Sequence, residues 1–302
     1  MKVKGVAESI VVEGSGSRIE ARSGGFETRF GQDYVGTIPT RRYSMFDLIR
    51  AAPGISPTSP SSGSGAASGT TQSISAFGSG GNENLFLIDG TNFTCPCAGV
   101  SRAEPGTDMI QEVQIQSVGA SAEFGNIQGA VINVLTRHGS NNFAYDASYY
   151  GQWSGLTSQP TRLAIPGTQA LSGYQRDKYR DITTDLGGPV RHDRLWFFTG
   201  YQHLRDYDSQ PGADPKFPRT YEQDKVFGRL TWNIKPGLQL DQSFHDEFWV
   251  NPQVPTQTLP FDATLRIHAH VPTVTFGHLT QTLSPNTLWD VRVGRFDLFA
   301  QG

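Results

Sequence analysis

Across residues 143–299, apolar and polar positions alternate with a period of two. Phe143, Tyr145, Ala147, Tyr149, Gly151 and Trp153 interleave with Ala144, Asp146, Ser148, Tyr150 and Gln152. Val226, Gly228, Leu230, Trp232 and Ile234 interleave with Phe227, Arg229, Thr231 and Asn233. Leu238, Leu240, Gln242, Phe244 and Phe248 do the same with Gln239, Asp241, Ser243, His245 and Glu247, and Trp289, Val291 and Val293 with Asp290, Arg292 and Gly294. Successive side chains of a strand point to opposite faces, so the pattern predicts strands with one aromatic or aliphatic face and one polar face. About seven are predicted, near 143–153, 180–188, 194–206, 222–235, 237–250, 270–283 and 287–299. Most exceed the usual soluble strand of about 5–6 residues and reach the roughly 9–11 that cross a bilayer at a tilt. Their joins alternate between tight ones, Lys235-Pro236-Gly237 and Ser284-Pro285-Asn286, and long ones at 154–179, 207–221 and 251–269. Transmembrane barrels have short turns on one side and long loops on the other.

Upstream of His138 the pattern is mixed. Met45, Leu48 and Ile49 fall on one helical face, with Ser44 as N-cap, Asp47 three residues on and Pro53-Gly54 as the stop, which predicts a helix over 44–52. Residues 56–71 are almost wholly Ser, Gly, Pro, Ala and Thr and predict a loop. Short strands are predicted at 72–77, 84–88, 113–118 and 129–137, and one helical turn over 109–112 capped by Thr107 or Asp108. Asp89-Gly90 suits a hairpin turn, because Asp bonds its own backbone and Gly accepts a positive φ. The division expected is a strand or linker at 1–19, a small α+β domain at 20–140 and an antiparallel all-β region at 141–302.

Composition narrows the classes. The chain has 302 residues, 36% hydrophobic and 11% aromatic. No stretch approaches the roughly 18 consecutive apolar residues of a membrane helix, which leaves a soluble all-β protein and a membrane barrel. A net charge of −3 with no Lys/Arg cluster speaks against a nucleic-acid partner. Two cysteines, in Cys95-Pro96-Cys97, exclude a disulfide scaffold and a four-cysteine zinc site. They leave a metal or redox pair, a local disulfide, or two thiols without a role. His268 and His270 share a strand face and, with His278, form a weak metal set set against ordinary barrel lining. Gly14–Gly16 lacks the third glycine and preceding strand of a dinucleotide-binding loop. The first eight residues contain no apolar signal core; the start is read as lying within a longer frame, and the chain as incomplete at both ends.

Four stretches, in order, resemble the TonB-dependent outer-membrane receptors, especially the large Oar-like members with an N-terminal carboxypeptidase-regulatory-like domain. Residues 45–55, ending Leu48-Ile49-Arg50-Ala51-Ala52-Pro53-Gly54, resemble the opening helix of the family's plug domain. Residues 84–92, with Asp89-Gly90, resemble a plug hairpin, and Ala122-Glu123-Phe124-Gly125 followed by Gly129-Ala130-Val131-Ile132-Asn133-Val134 resembles the plug's end. Leu186-Gly187-Gly188-Pro189-Val190 followed by Asp193-Arg194-Leu195-Trp196-Phe197-Phe198 resembles an early barrel hairpin. The sequence departs from the pattern at His138 and at Ala144-Tyr145, both at the plug–barrel joint, and shows no energy-coupling box near its start.

The resemblance implies a plug and part of a barrel that has roughly 22 strands when complete. It implies an outer-membrane receptor and transporter in the bacterial cell outer membrane, with no catalytic residue, cofactor or metal. Its partners would be a TonB-type inner-membrane energy-coupling protein, outer-membrane lipid, and a small-molecule, oligosaccharide or peptide ligand. Ligand contacts are expected from loops 56–71 and 91–100, with Asn92, Phe93, Thr94, Cys95 and Cys97 as the named candidates. Glu112 and Glu123 would either be buried against the barrel and need cations, with Arg137, Arg229 and Arg292 as candidate partners, or be solvated acids. The strands are expected to form an open meander with the plug on the face opposite the aromatic one. The rival reading is a soluble extracellular β-rich binding or adhesion module. In that case Tyr145, Tyr149 and Trp153 would pack into a core rather than face outward.

Overall fold

The computed structural model describes residues 27–38, 45–57, 74–95, 99–101, 103–117, 124–125, 127–156, 175–209, 214, 216–251, 260–264 and 267–301. The plug holds strand β1 (Glu27–Phe30), helices α1 (Gln32–Thr37) and α2 (Met45–Ile49), and a hairpin of β2 (Ile55–Pro57) and β3 (Ile74–Ala76). It continues through β4 (Leu85–Ile88), β5 (Thr91–Asn92), β6 (Ile110–Gln116) and β7 (Val131–Thr136). Its main sheet runs β1-β6-β7-β4-β5, with β4 parallel to β7 and the other pairs antiparallel. The short helix α2 owes its stability to burial: Met45, Phe46, Leu48 and Ile49 are all sealed from solvent. It stops where Gly54 takes a φ of +76° and its carbonyl accepts the Phe77 N–H at 2.8 Å. Phe46 meets the edge of Phe86 at 5.6 Å, and Ile88, Val113, Ile115, Ile132 and Val134 complete the core.

Asp89 (φ +49°) and Gly90 (φ +86°) make the two-residue turn between β4 and β5. A positive φ at both centres is the signature of a type I′ hairpin turn. The helical turn expected over 109–112 is corrected. A single 3-10 turn occupies Thr107–Met109, and Ile110 already begins β6. A bulge between Ile110 and Glu112 puts Ile110 and Val113, three residues apart, on the same buried side, and that spacing imitates a helix. The strand or linker expected at 1–19, the Ser44 cap and most of the loop at 56–71 lie outside the described residues.

Seven long strands follow: β8 (Ala144–Trp153), β9 (Gln175–Arg191), β10 (Leu195–Ser209), β11 (Arg219–Lys235), β12 (Leu238–Asn251), β13 (Ile267–Ser284) and β14 (Thr287–Gln301). Each is antiparallel to the next, and the sheet runs β8 to β14 without closing. One face is apolar and exposed: Tyr145 is 83% exposed, Tyr149 59% and Trp153 51%, with Leu186, Leu230, Trp232, Phe244 and Val293 on the same side. These side chains are not packed into a core, as the soluble-module reading requires. The other face meets the plug.

Gly139, where the plug joins the barrel, lies against the backbone of Phe197, and a Cβ there would strike the Phe197 carbonyl oxygen. Backbone of a central strand cannot yield cheaply. Gly139→Ala is expected to cost about 1–3 kcal/mol, read as a lowered midpoint in denaturation of the detergent-solubilised protein. An unchanged midpoint would show that the joint has slack.

Candidate functional site: the plug–barrel interface

The chemistry of this chain is concentrated where the plug meets the inner wall. At its centre is Asp89, only 6% exposed. The left-handed turn swings its carboxylate onto Thr136 at the end of β7: Oδ1 accepts the Thr136 N–H at 2.9 Å and Oδ2 the Thr136 hydroxyl at 2.6 Å. From the wall, Ser243 on β12 donates its hydroxyl to Oδ2 at 3.3 Å. Arg229 on β11 donates to Asp89 at 3.4 Å and to the Thr136 carbonyl at 2.9 Å. The second arm of the same guanidinium reaches Asp241 on β12 at 3.5 Å. Asp241 in turn accepts Thr231 and Gln239, each at 2.7 Å. Burying this many charges is tolerated only because each acid has several donors.

Two further polar contacts flank this centre. Arg137, two residues before the joint, reaches Asp185 on β9 at 3.1 Å and the Asp108 carbonyl at 3.1 Å, with its guanidinium over the Phe198 ring at 4.9 Å. Higher on β12, Glu247 accepts the backbone N–H of Glu104 at 2.8 Å and also binds His245 at 3.0 Å and Gln223. The apolar contacts are fewer. Met109 packs with Phe198 and Phe227, and Gly200 leaves room for it. Val271, Phe296 and Leu298 join the edge of the plug core, and Gly294 admits the Thr91 side chain.

The sequence candidates separate. Asn92 is exposed and its Oδ1 accepts the Thr94 N–H at 2.9 Å; the Thr94 hydroxyl accepts the Phe86 N–H at 2.8 Å. Phe93 is 0% exposed and packs beside Phe86, so its ring belongs to the plug core and is withdrawn from the loop surface. Cys95 is buried and disulfide-bonded, and the sequence holds one other cysteine, Cys97. Cys97 and Glu123 lie outside the described residues.

Glu112 is half-exposed beside the bulge and accepts a hydrogen bond from Gln114 at 2.9 Å, so it needs no barrel cation. The ion pairs that cross the interface instead use Asp89 and Asp185 as acids, because the turn and the wall strand, not β6, aim carboxylates at the arginines. Arg292 stays on its own strand with Asp290 at 2.9 Å and is 62% exposed. His270 and His278 are bound separately, by Asp246 and Asp290, each at 3.0 Å.

Sequence reasoning missed Asp89, which read as a turn residue only, since nothing local reveals a partner on a strand 140 residues away. It also missed a charged quartet on the inner wall near the long joins, Arg176–Asp206 at 3.3 Å and Arg219–Asp208 at 2.7 Å.

No family model matches the chain. Over 191 residues, 53% of the chain, it is 31% identical to the TonB-dependent transporter Oar of Myxococcus xanthus, and it spans 18% of that protein's length. Among solved structures it resembles the outer membrane transporter YddB of Escherichia coli at a TM-score of 0.64 and 16% identity, with 88% of this chain and 38% of that one covered. It resembles the ferric citrate transporter FecA in its unliganded form at 0.63 and 13% identity, with 92% and 41% covered. The chain thus spans less than half the length of these proteins. Sequence likeness, the plug-like domain and the open run of wall strands converge: this chain is similar in sequence to a TonB-dependent transporter and has the fold of part of the outer-membrane transporters, a plug-like domain and, among the described residues, seven wall strands.

Proposed function

We propose that the protein takes up a ligand through an energy-coupled movement of this plug against the barrel wall. A TonB-type inner-membrane protein would supply the work, and a small molecule, oligosaccharide or peptide would be the cargo. The observation that supports the reading is the polarity of the interface. Asp89, Arg137 and the Glu104 amide meet the wall through hydrogen bonds and ion pairs. Each such bond has a net worth of only about 0.5–1.5 kcal/mol, or roughly twice that when charged, because water takes its place on separation. A wholly apolar interface would resist separation along its whole area. No covalent step is needed. The ligand would dock on the side of the long joins, above the loop at 91–100.

Ser243 reports the movement. It is 3% exposed under Asp89, so Ser243→Cys is shielded from aqueous thiol reagents while the plug is seated. In cells growing on complex medium, a water-soluble maleimide is expected to label it several times faster when the membrane is energised and the coupling protein present. Equal labelling in cells without the coupling protein would overturn the reading.

A further inference from the structure

Lys178 and Arg180 on β9 and Arg205 on β10 project from the outward, apolar face of the sheet, close to its long joins. We infer that these three side chains form a docking point for the phosphate of an outer-leaflet lipid headgroup; this rests on the reading that β8–β14 face a membrane.

Height comes first. Tight turns at 192–194, 236–237 and 285–286 mark one end of the wall, and the long joins mark the other, extracellular end. Along β9 the outward positions run Leu186, Thr184, Ile182, Arg180, Lys178 toward the long joins. The apolar stretch therefore ends where the cations begin. Trp153 stands opposite Lys178 on β8 and Tyr207 opposite it on β10, with the ammonium 5.4 Å from the Tyr207 ring centre. Aromatics with one apolar and one polar end collect at a membrane–water boundary.

Charge comes second. The outward acids nearby are already occupied. Asp224 takes Arg205 at 2.8 Å, His203 at 2.7 Å and the Tyr201 hydroxyl at 2.8 Å, while Glu222 takes the Tyr207 hydroxyl at 2.9 Å. Asp246 takes His270 at 3.0 Å. Arg180 is exposed and has no partner among the described residues. In register it lies directly across from Arg205 on one side and from Gly151 on the other, which leaves its guanidinium open. Like charges directly opposite on neighbouring strands, with Cβ atoms about 4.5–5.5 Å apart, destabilise the pair. Asp224, bound to Arg205 at 2.8 Å, already offsets part of that repulsion, and an anion held by Arg180 and Lys178 removes the rest. A phosphate fits best, because it offers several oxygens to a planar guanidinium fork and tolerates a lysine as a point charge beside it.

The test uses the receptor extracted from outer membranes in mild detergent, with lipid phosphate per protein measured chemically and retained lipids weighed by native mass spectrometry. Arg180→Gln with Lys178→Gln is expected to lower the retained phosphorylated lipid at least roughly tenfold, through the loss of two charge-assisted contacts. Reconstituted in zwitterionic vesicles with a minority of phosphorylated glycolipid, the parent protein is expected to enrich that lipid around itself and the variant not to. Equal retention in parent and variant overturns the inference. So does stripping of the site by inorganic phosphate alone, which would make it a site for the free anion. Heat-dependent gel mobility and outer-membrane fractionation report barrel insertion separately. A parent protein that fails those two fails the membrane reading itself, and a variant that fails them is replaced by Arg180→Gln alone, judged by the same lipid measurement.

Discussion

Replacing Asp89 by alanine is expected to loosen the plug from the wall by about 3–5 kcal/mol, the cost of removing one partner from a buried ion pair. The substitution leaves the Thr136 N–H and hydroxyl without their acceptor and withdraws one of the two carboxylates from Arg229. It also puts a residue with no polar side chain into a left-handed turn, φ +49°, that Asp and Asn accept more readily. Asp89→Asn separates the two effects, because it keeps the turn and loses the charge. Hydrogen exchange of the β4 and β7 amides in the detergent-solubilised receptor is the measurement. The alanine variant should exchange faster there by orders of magnitude and the asparagine variant by less. Protection changed by under about 1 kcal/mol in the alanine variant would show that the contact is incidental.

Met109→Ala is expected to cost about 2–5 kcal/mol. The side chain is 0% exposed and joins Phe198 and Phe227 from the wall, so its removal opens a cavity between two rigid strands and the plug. Gly200 cannot fill that space, and the neighbouring wall is held by its ladder to β9 and β11. Met109→Leu, which keeps most of the volume, should cost less than about 1.5 kcal/mol. Denaturation midpoints of the two variants against the parent decide this. Alanine and leucine variants of equal stability would mean that Met109 is not packed as described.

The wall was readable in the sequence because its two faces see different surroundings. An exposed apolar face on one side and the plug on the other impose a period of two that local inspection finds. The strand ends were not readable. The strand expected at 180–188 runs Gln175–Arg191, since beyond Ile182 the outward positions carry Arg180 and Lys178 and the apolar signal fades. Helix α1 escaped notice because only Val35 in it is buried and Gly36 lowers its propensity. In the plug, Phe86 and Ile88 announced a strand, but Asp89 beside them gave no sign of its distant partners. The pairing of Arg137 and Arg229 with Asp185 and Asp89, and not with Glu112, depends on how the turn and the wall strands are aimed, which is a tertiary fact.

Arg229 lies between two carboxylates, one belonging to the plug and one to the wall, at nearly equal distances of 3.4 and 3.5 Å. Were the plug to depart as proposed, the guanidinium would pass entirely to Asp241, which Thr231 and Gln239 already hold in place. Asp89 would leave with the Thr136 amide and hydroxyl still bound to it. The wall would keep a balanced pair, and the Asp89 carboxylate would keep two hydrogen-bond donors in place of its cation. Among the described residues Asp185 has no such understudy: across the ladder it faces Asp146, another acid, and its cation there is Arg137. Parting there strands two like charges. If the plug moves as proposed, the last residues before the joint would be the pivot and the Asp89 edge the side that swings.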